Sequence, residues 1–252
     1  VQLAEAEDYS TAISYFTVAG SFVDAKERLT DAIYNYACQD MSIGRYDRAR
    51  ENFKRCAGYK DADDKYKEAA YNYGCKLIDG KKYETAVSVF KELGSYKDSA
   101  SKQLEAKYGY VVDNKRLKET SKYYGYINDL VDARYKDSRA IYKEVYKWTV
   151  TVSAINSSAT AWLDEKSIGS SSPLYAHYKV SGGPPNGKTE VIVRYTFPSG
   201  YWGDYSLGDK RRGSSGYFFW EDGIGGPTGT LYLKFYDSDR NQIGSASIKI
   251  TN

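Results

Sequence analysis

The sequence predicts a two-part fold: an all-α solenoid of stacked helical hairpins, followed by an all-β sandwich. Three observations carry this. A block of residues returns at a fixed step of 37: Tyr9, Tyr46 and Tyr83; Ala12, Ala49 and Ala86; Phe16, Phe53 and Phe90; Asp24, Asp61 and Asp98. A period of roughly 20–50 residues belongs to stacked supersecondary units, not to one closed globule. The texture then changes near Trp148, with no proline before it and all five after it. Beyond that point the apolar period drops from helical spacing to two. We therefore expect units at 1–148 and 149–252.

Within each copy a helix has a marked stop and restart. Tyr83, Ala86, Val87, Phe90 and Leu93 share one face at three- and four-residue steps. Gly94, like Gly58 and Gly20, then supplies the positive φ that closes a helix. Tyr-Lys-Asp follows at 59–61 and 96–98 (Phe-Val-Asp at 22–24), and its Asp is expected to cap the next helix. Asp24 with Glu27 has capping-box spacing. A second recurring helix reads Ala32-Ile-Tyr-Asn-Tyr-Ala-Cys38 and then Ala69-Ala-Tyr-Asn-Tyr-Gly-Cys75, with Tyr108-Gly-Tyr110 a further step on. A looser fourth copy ends at Asp137, two residues late; in it Tyr123, Ile127 and Leu130 take the apolar places. The predicted helices are 9–19, 25–41, 46–57, 62–79, 83–93, 99–112, 117–133 and 138–147. Trp148 is expected to plug the end of the stack.

From Thr149, Val150, Val152 and Ala154 alternate with polar residues, as do Leu174, Ala176, Tyr178 and Val180, then Leu231, Leu233 and Phe235, then Ala246, Ile248 and Ile250. Residues 189–197 and 217–220 read as further strands. Turn signals at 182–187, 198–200, 223–226 and 237–241 divide them. Six or seven short strands in such a length are an antiparallel sandwich pattern.

Two resemblances follow from these residues. Gly74 before Ala86-Val-Ser-Val-Phe90, and Ala37 before Ala49-Arg-Glu-Asn-Phe53, are similar to the tetratricopeptide (TPR-like) repeats, over roughly residues 1–147. The unit here is longer, and Tyr-Lys-Asp replaces the closing proline. It resembles a divergent version associated with anaerobic Gram-positive bacteria. The ending, from Gly229-Thr-Leu-Tyr-Leu to Asp237-Ser-Asp-Arg-Asn-Gln-Ile-Gly244, resembles bacterial immunoglobulin-like domains.

Of 36 basic and 33 acidic residues, the part up to Trp148 holds 26 and 24 and the rest 10 and 9. So even a balance points away from nucleic acid and membrane surfaces, and no apolar run approaches the roughly 20 residues of a transmembrane helix. The start at Val1, without methionine, reads as a fragment that has lost a signal or anchor. The resemblance implies an extracellular or cell-surface protein of a Gram-positive bacterium, with cytoplasmic location as the alternative. Cys38, Cys56 and Cys75 have neither disulfide arithmetic nor zinc spacing and read as small buried hydrophobes.

No catalytic constellation is found. The single histidine, His177, falls on the polar side of a strand and is expected to be exposed, and no Gly-x-Ser-x-Gly motif accompanies it. Asp237, Asp239 and Asn241 have calcium-loop spacing but lack the loop's glycine and distal glutamate, so a hairpin turn is expected. Glu221-Asp222 reads as a solvated turn rather than a glycosidase pair. No cofactor is implied. The reading is a non-enzymatic protein-interaction scaffold. In the resembling family the first helices of the pairs line the concave face. Carried over by spacing, Tyr34, Tyr71 and Tyr108 form a column there beside Cys38 and Cys75, with Asp31, Glu68 and Glu105 as an acidic column. Such a groove suits a basic or polar extended segment of a protein partner, with the sandwich as spacer or second adhesion surface. The competing reading packs these tyrosines unit against unit. The alternative function is glycan binding by the sandwich through Tyr201, Trp202, Tyr205 and Trp220, taken as an aromatic loop at 201–205 and a strand at 217–220.

Overall fold

Each helix forms where the periodic face meets a terminator. In the computed structural model, which describes residues 8–20, 22, 24–156, 167–169, 173–220 and 228–251, these segments are α1 (Tyr9–Ala19), α2 (Ala25–Ser42), α3 (Tyr46–Arg55), α4 (Ala62–Asp79), α5 (Tyr83–Leu93), α6 (Ser99–Asp113), α7 (Ser121–Asp132) and α8 (Ser138–Val145). Bounds follow the expected ones to within two residues, except at α7. There a 3₁₀ turn at Lys115–Leu117 precedes the helix. Gly20 and Gly94 close α1 and α5 with φ near +55° and ψ near −110°, torsions that only glycine adopts without strain.

The chain forms two compact units, residues 1–115 with 125–138, and residues 116–124 with 139–252. In the first, α2 to α6 pack as consecutive antiparallel neighbours and α4 also touches α6. The repeated residues are its core: Ala49, Phe53, Ala69, Ala86, Phe90 and Ala106 are all buried. Phe53 sits against Ala37, and Phe90 fills the space left by Gly74, where a Cβ would lie 2.6 Å from Phe90 Cζ. In the looser copy Tyr123, Ile127 and Leu130 are buried as expected.

The expected Asp caps do not form. Asp24, Asp61 and Asp98 make no side-chain cap bond, and Asp24 instead pairs with Arg28 at 3.4 Å. The backbone accounts for it: Asp61 and Asp98 lie near φ −100° and ψ +25°, and Asp24 at φ 67°, not in the extended conformation of a capping residue. The first helical N–H groups of Ala62 and Ser99 donate to the Tyr59 and Tyr96 carbonyls at 3.0 Å. The Asp61 and Asp98 carboxylates reach other partners instead.

Among the described residues, the second unit contains eight strands: β1 (Trp148–Asn156), β2 (Ser167–Gly169), β3 (Leu174–Gly182), β4 (Lys188–Thr196), β5 (Trp202–Arg211), β6 (Ser215–Trp220), β7 (Gly229–Tyr236) and β8 (Gln242–Thr251). They form a three-stranded sheet β1-β3-β6 and a five-stranded sheet β2-β8-β7-β4-β5; every pairing is antiparallel except β2 with β8. Val150, Leu174, Val180, Val193, Phe218, Leu233, Phe235 and Ile248 share one core between them. The β5–β6 hairpin leaves one sheet and enters the other at a tight turn, where Ser214 N–H donates to Arg211 O at 3.0 Å. Val150, Leu174, Ala176, Tyr178 and Val180 face inward as their alternation requires.

Trp148 opens β1 and packs against the β core and Gly183. One expectation fails here: His177 is 1% exposed. It lies on the central strand of its sheet, beside its cross-strand partner Tyr217 with ring centroids 5.9 Å apart. Alternation assumed a wet outer face, and aromatic neighbours cover it.

Candidate functional site

Two surfaces hold the residues that the sequence singles out. On the helical unit, Tyr34, Tyr71 and Tyr108 occupy the same place on α2, α4 and α6, each half-buried. The hydroxyl of Tyr34 donates to Asp61, that of Tyr71 to Asp98 at 2.5 Å, and that of Tyr108 to Asp137 at 2.7 Å. Between each pair stands the lysine of Tyr-Lys-Asp, at φ of 47–48° in Lys60, Lys97 and Lys136. Its ammonium lies over two rings: Tyr34 and Tyr59 (4.8 and 4.9 Å), Tyr71 and Tyr96 (4.9 and 5.3 Å), Tyr108 and Tyr135 (4.5 and 5.2 Å). Each lysine thus makes two cation–π contacts. The two rings of each clasp meet edge to face at 5.8–6.2 Å.

The electrostatics follow from these bonds. The Tyr34, Tyr71 and Tyr108 phenols titrate above the ordinary value of 10.0, because each neutral hydroxyl donates a hydrogen bond to a carboxylate. Asp61 and Asp98 titrate below theirs for the same reason. Of the acidic column, Asp31 accepts from Lys60 (2.6 Å), Tyr59 (3.1 Å) and Asn35 (3.1 Å). Glu105 holds Lys102 at 2.9 Å, and Glu68 is exposed. Cys38 and Cys75 are half-buried beside the tyrosines, Cys56 is buried, and all three are free thiols. The structure therefore brings the tyrosines into clasps within the array. Sequence reasoning missed the lysines and aspartates that complete them, although Tyr-Lys-Asp recurs at the same step. We expect Tyr71→Phe, which keeps the ring and deletes one clasp bond, to lower the melting temperature by about 2 °C. Loss of one late-titrating phenol, with the others kept, in an absorbance titration checks the assignment.

No protein-family model and no curated protein matches this chain.

On the β unit the proposed aromatics separate. Tyr201 lies outside β5 and stacks on Phe197 at 6.1 Å. Tyr205 pairs with Val193 on the core side and meets Phe218 at 5.6 Å. Trp202 begins β5, so residues 202–205 are strand rather than loop, and its side chain projects from the outer face. The Trp220 side chain and Glu221-Asp222 lie outside the described residues. Cross-strand register places three rows on the outer face of the five-stranded sheet: Trp202, Thr196, Tyr232 and Ser247; Asp204, Arg194, Lys234 and Ser245; and Ile192 with Tyr236. Tyr232, Tyr236, Arg194 and Lys234 were not singled out from sequence. Their signal was two tyrosines on the polar side of one strand.

Among the described residues no group of three His, Cys, Asp or Glu is placed to hold a metal ion. The Asp237 carboxylate accepts from the backbone of Asp239 (3.0 Å) and Asn241 (2.8 Å), and from the Asn241 amide. These bonds make the segment a hairpin turn. No described helix is long and apolar enough to cross a membrane.

Proposed function

We propose that this is a non-enzymatic interaction protein whose helical unit holds an extended segment of a protein partner along the column of clasps. The observation that carries the reading is the ladder itself. Three equivalent sites each present a half-exposed tyrosine, an ammonium held on rings and an aspartate at the surface. Identical sites at equal repeat steps suit a chain that offers similar groups at regular intervals. Tyrosine contributes contact area with little rotamer entropy to lose. The clasps also fix each ring before a partner arrives, which lowers the ordering cost of binding.

The likeness to tetratricopeptide repeats supports the same surface, since that family binds partners along the first helices of its pairs. The β unit, with its likeness to bacterial immunoglobulin-like domains, acts as spacer or second adhesion surface. The same resemblances point to the surface of a Gram-positive bacterium as its setting.

The test is a selection of displayed extended peptides on the whole chain. Enriched peptides should lose at least about tenfold in affinity when Tyr34, Tyr71 and Tyr108 are together replaced by leucine, with the helical circular dichroism retained. Unchanged affinity, or enrichment that maps only to the β unit, would overturn the groove.

A further inference from the structure

We propose that the outer face of the five-stranded sheet binds an acidic glycan. Two sugar rings would stack on Trp202 and Tyr232, and a sugar carboxylate would meet Lys234. This goes beyond the helical-unit reading and does not depend on it.

The geometry begins with two exposed rings in one cross-strand row. Trp202 is 55% and Tyr232 52% exposed, although both are large aromatics in regular strands. Between them lies Thr196, paired in register with each. A small side chain flanked by two rings leaves a shallow flat trough across the strands. The two rings stand two strand spacings apart, about 9–10 Å, within reach of alternate sugars of an extended, flat chain. A pyranose ring presents a face of C–H groups that packs on an aromatic ring, while its hydroxyls point outward to polar neighbours.

The adjacent row supplies those neighbours and holds them rigid. Arg194 lies over the Trp202 ring at 4.4 Å and near Tyr236 at 5.5 Å. Asp204 accepts from Arg194 in a fork, at 2.8 and 2.9 Å, and from Arg240 at 3.0 Å. That network holds the guanidinium against the indole ring, so the platform is ordered without ligand.

Charge selects the class of glycan. The face carries Arg194, Lys234, Lys249 and Arg240 against Asp204, with Glu190 at its margin beside Ser206. Lys234 stands two residues along the strand from Tyr232, on the same face, with no ion-pair partner among the described residues. A carboxylate on the stacked chain would complete it. Nucleic acid fits less well. Asp204 stands at the edge-strand end of the charged row, beside Trp202, where a chain with a phosphate at every nucleotide would meet it.

The test uses the whole chain and three probes: an oligogalacturonate, a neutral cello-oligosaccharide and an oligodeoxythymidine strand. Titration calorimetry with tryptophan emission should show the uronate binding at least about tenfold more tightly than the neutral chain, with affinity falling as salt rises. Trp202→Ala and Tyr232→Ala should each weaken it about tenfold, Trp202→Phe should retain it, and Lys234→Gln should erase the preference for the acidic chain. Among the described residues, the hydrogen bonds and ring contacts of the Arg194 network do not include Tyr232, so its variant separates loss of stacking from loss of order. Absence of uronate binding, equal affinity for the neutral chain, indifference to both alanine variants, or tighter binding of the oligonucleotide overturns the proposal. None of these variants touches the helical array, so failure here leaves the peptide-groove reading standing.

Discussion

Phe90→Ala is expected to destabilise the helical unit by about 3–5 kcal/mol. Phe90 is almost fully buried, meets Tyr71 edge to face at 5.9 Å and lies directly on Gly74. Truncating it opens a space that Gly74 on the opposing helix, having no side chain, does nothing to fill. The resulting cavity cannot collapse, which places the cost high in the range. Phe53→Ala should cost less, since Ala37 stands where Gly74 does and occupies part of the gap. Repeat stability is a sum of unit and neighbour terms, so α4, α5 and α6 should lose helicity together. All four tryptophans lie at or beyond position 148, so their emission follows the β region while far-ultraviolet circular dichroism follows the helices. We expect the helical melt to move and the tryptophan melt to stay. An unchanged helical melt would contradict the packing.

Asp40→Leu is expected to stabilise the protein by about 1–4 kcal/mol near neutral pH. The Asp40 side chain is 1% exposed, and neither carboxylate oxygen has a hydrogen-bond partner. Arg45 and Arg48 approach only to 3.9 and 3.7 Å. One repeat later the same place holds Leu77, which is buried in the neighbouring cluster, so the site accepts leucine by symmetry. Burial pushes the Asp40 carboxyl above its ordinary value of 3.8. The folded state therefore binds this proton more tightly than the unfolded state does. Its ionisation costs stability above the folded pKa, and the cost fades as pH falls through that value toward 3.8. Asp31, Asp61 and Asp98 have the opposite sign, since their carboxylates are held ionised, and they lose stability on acidification. The advantage of Asp40→Leu should thus shrink on going from neutral to acid pH, measured as the difference in urea midpoint between variant and parent. An advantage that grows on acidification would refute the assignment.

What could be read from sequence divides along physical lines. Helices α4 and α5 were legible to the residue because period, glycine stop and repeat all agree there. Strand β5 was not. Trp202-Gly-Asp-Tyr-Ser-Leu-Gly-Asp has no alternation, since an edge strand with much of both faces wet is under no pressure to keep one. The role of Asp61 and Asp98 was missed for a different reason. Residue type names a local bond as the default, and a tyrosine 27 positions earlier offered a better one. His177 shows the limit of period-two reasoning: it says which residues share a face, not what covers that face. The outer-sheet rows needed register, because Trp202, Arg194 and Tyr232 lie on three strands and meet only through pairing.

The clasps span only 27 residues in the first two cases and 29 in the third, less than one repeat. A gene segment encoding one repeat length therefore carries both ends of its own polar fastening and needs no distant segment to close it. Arrays of this kind can lengthen or shorten by whole copies during evolution. The third span, two residues longer, keeps the same fastening.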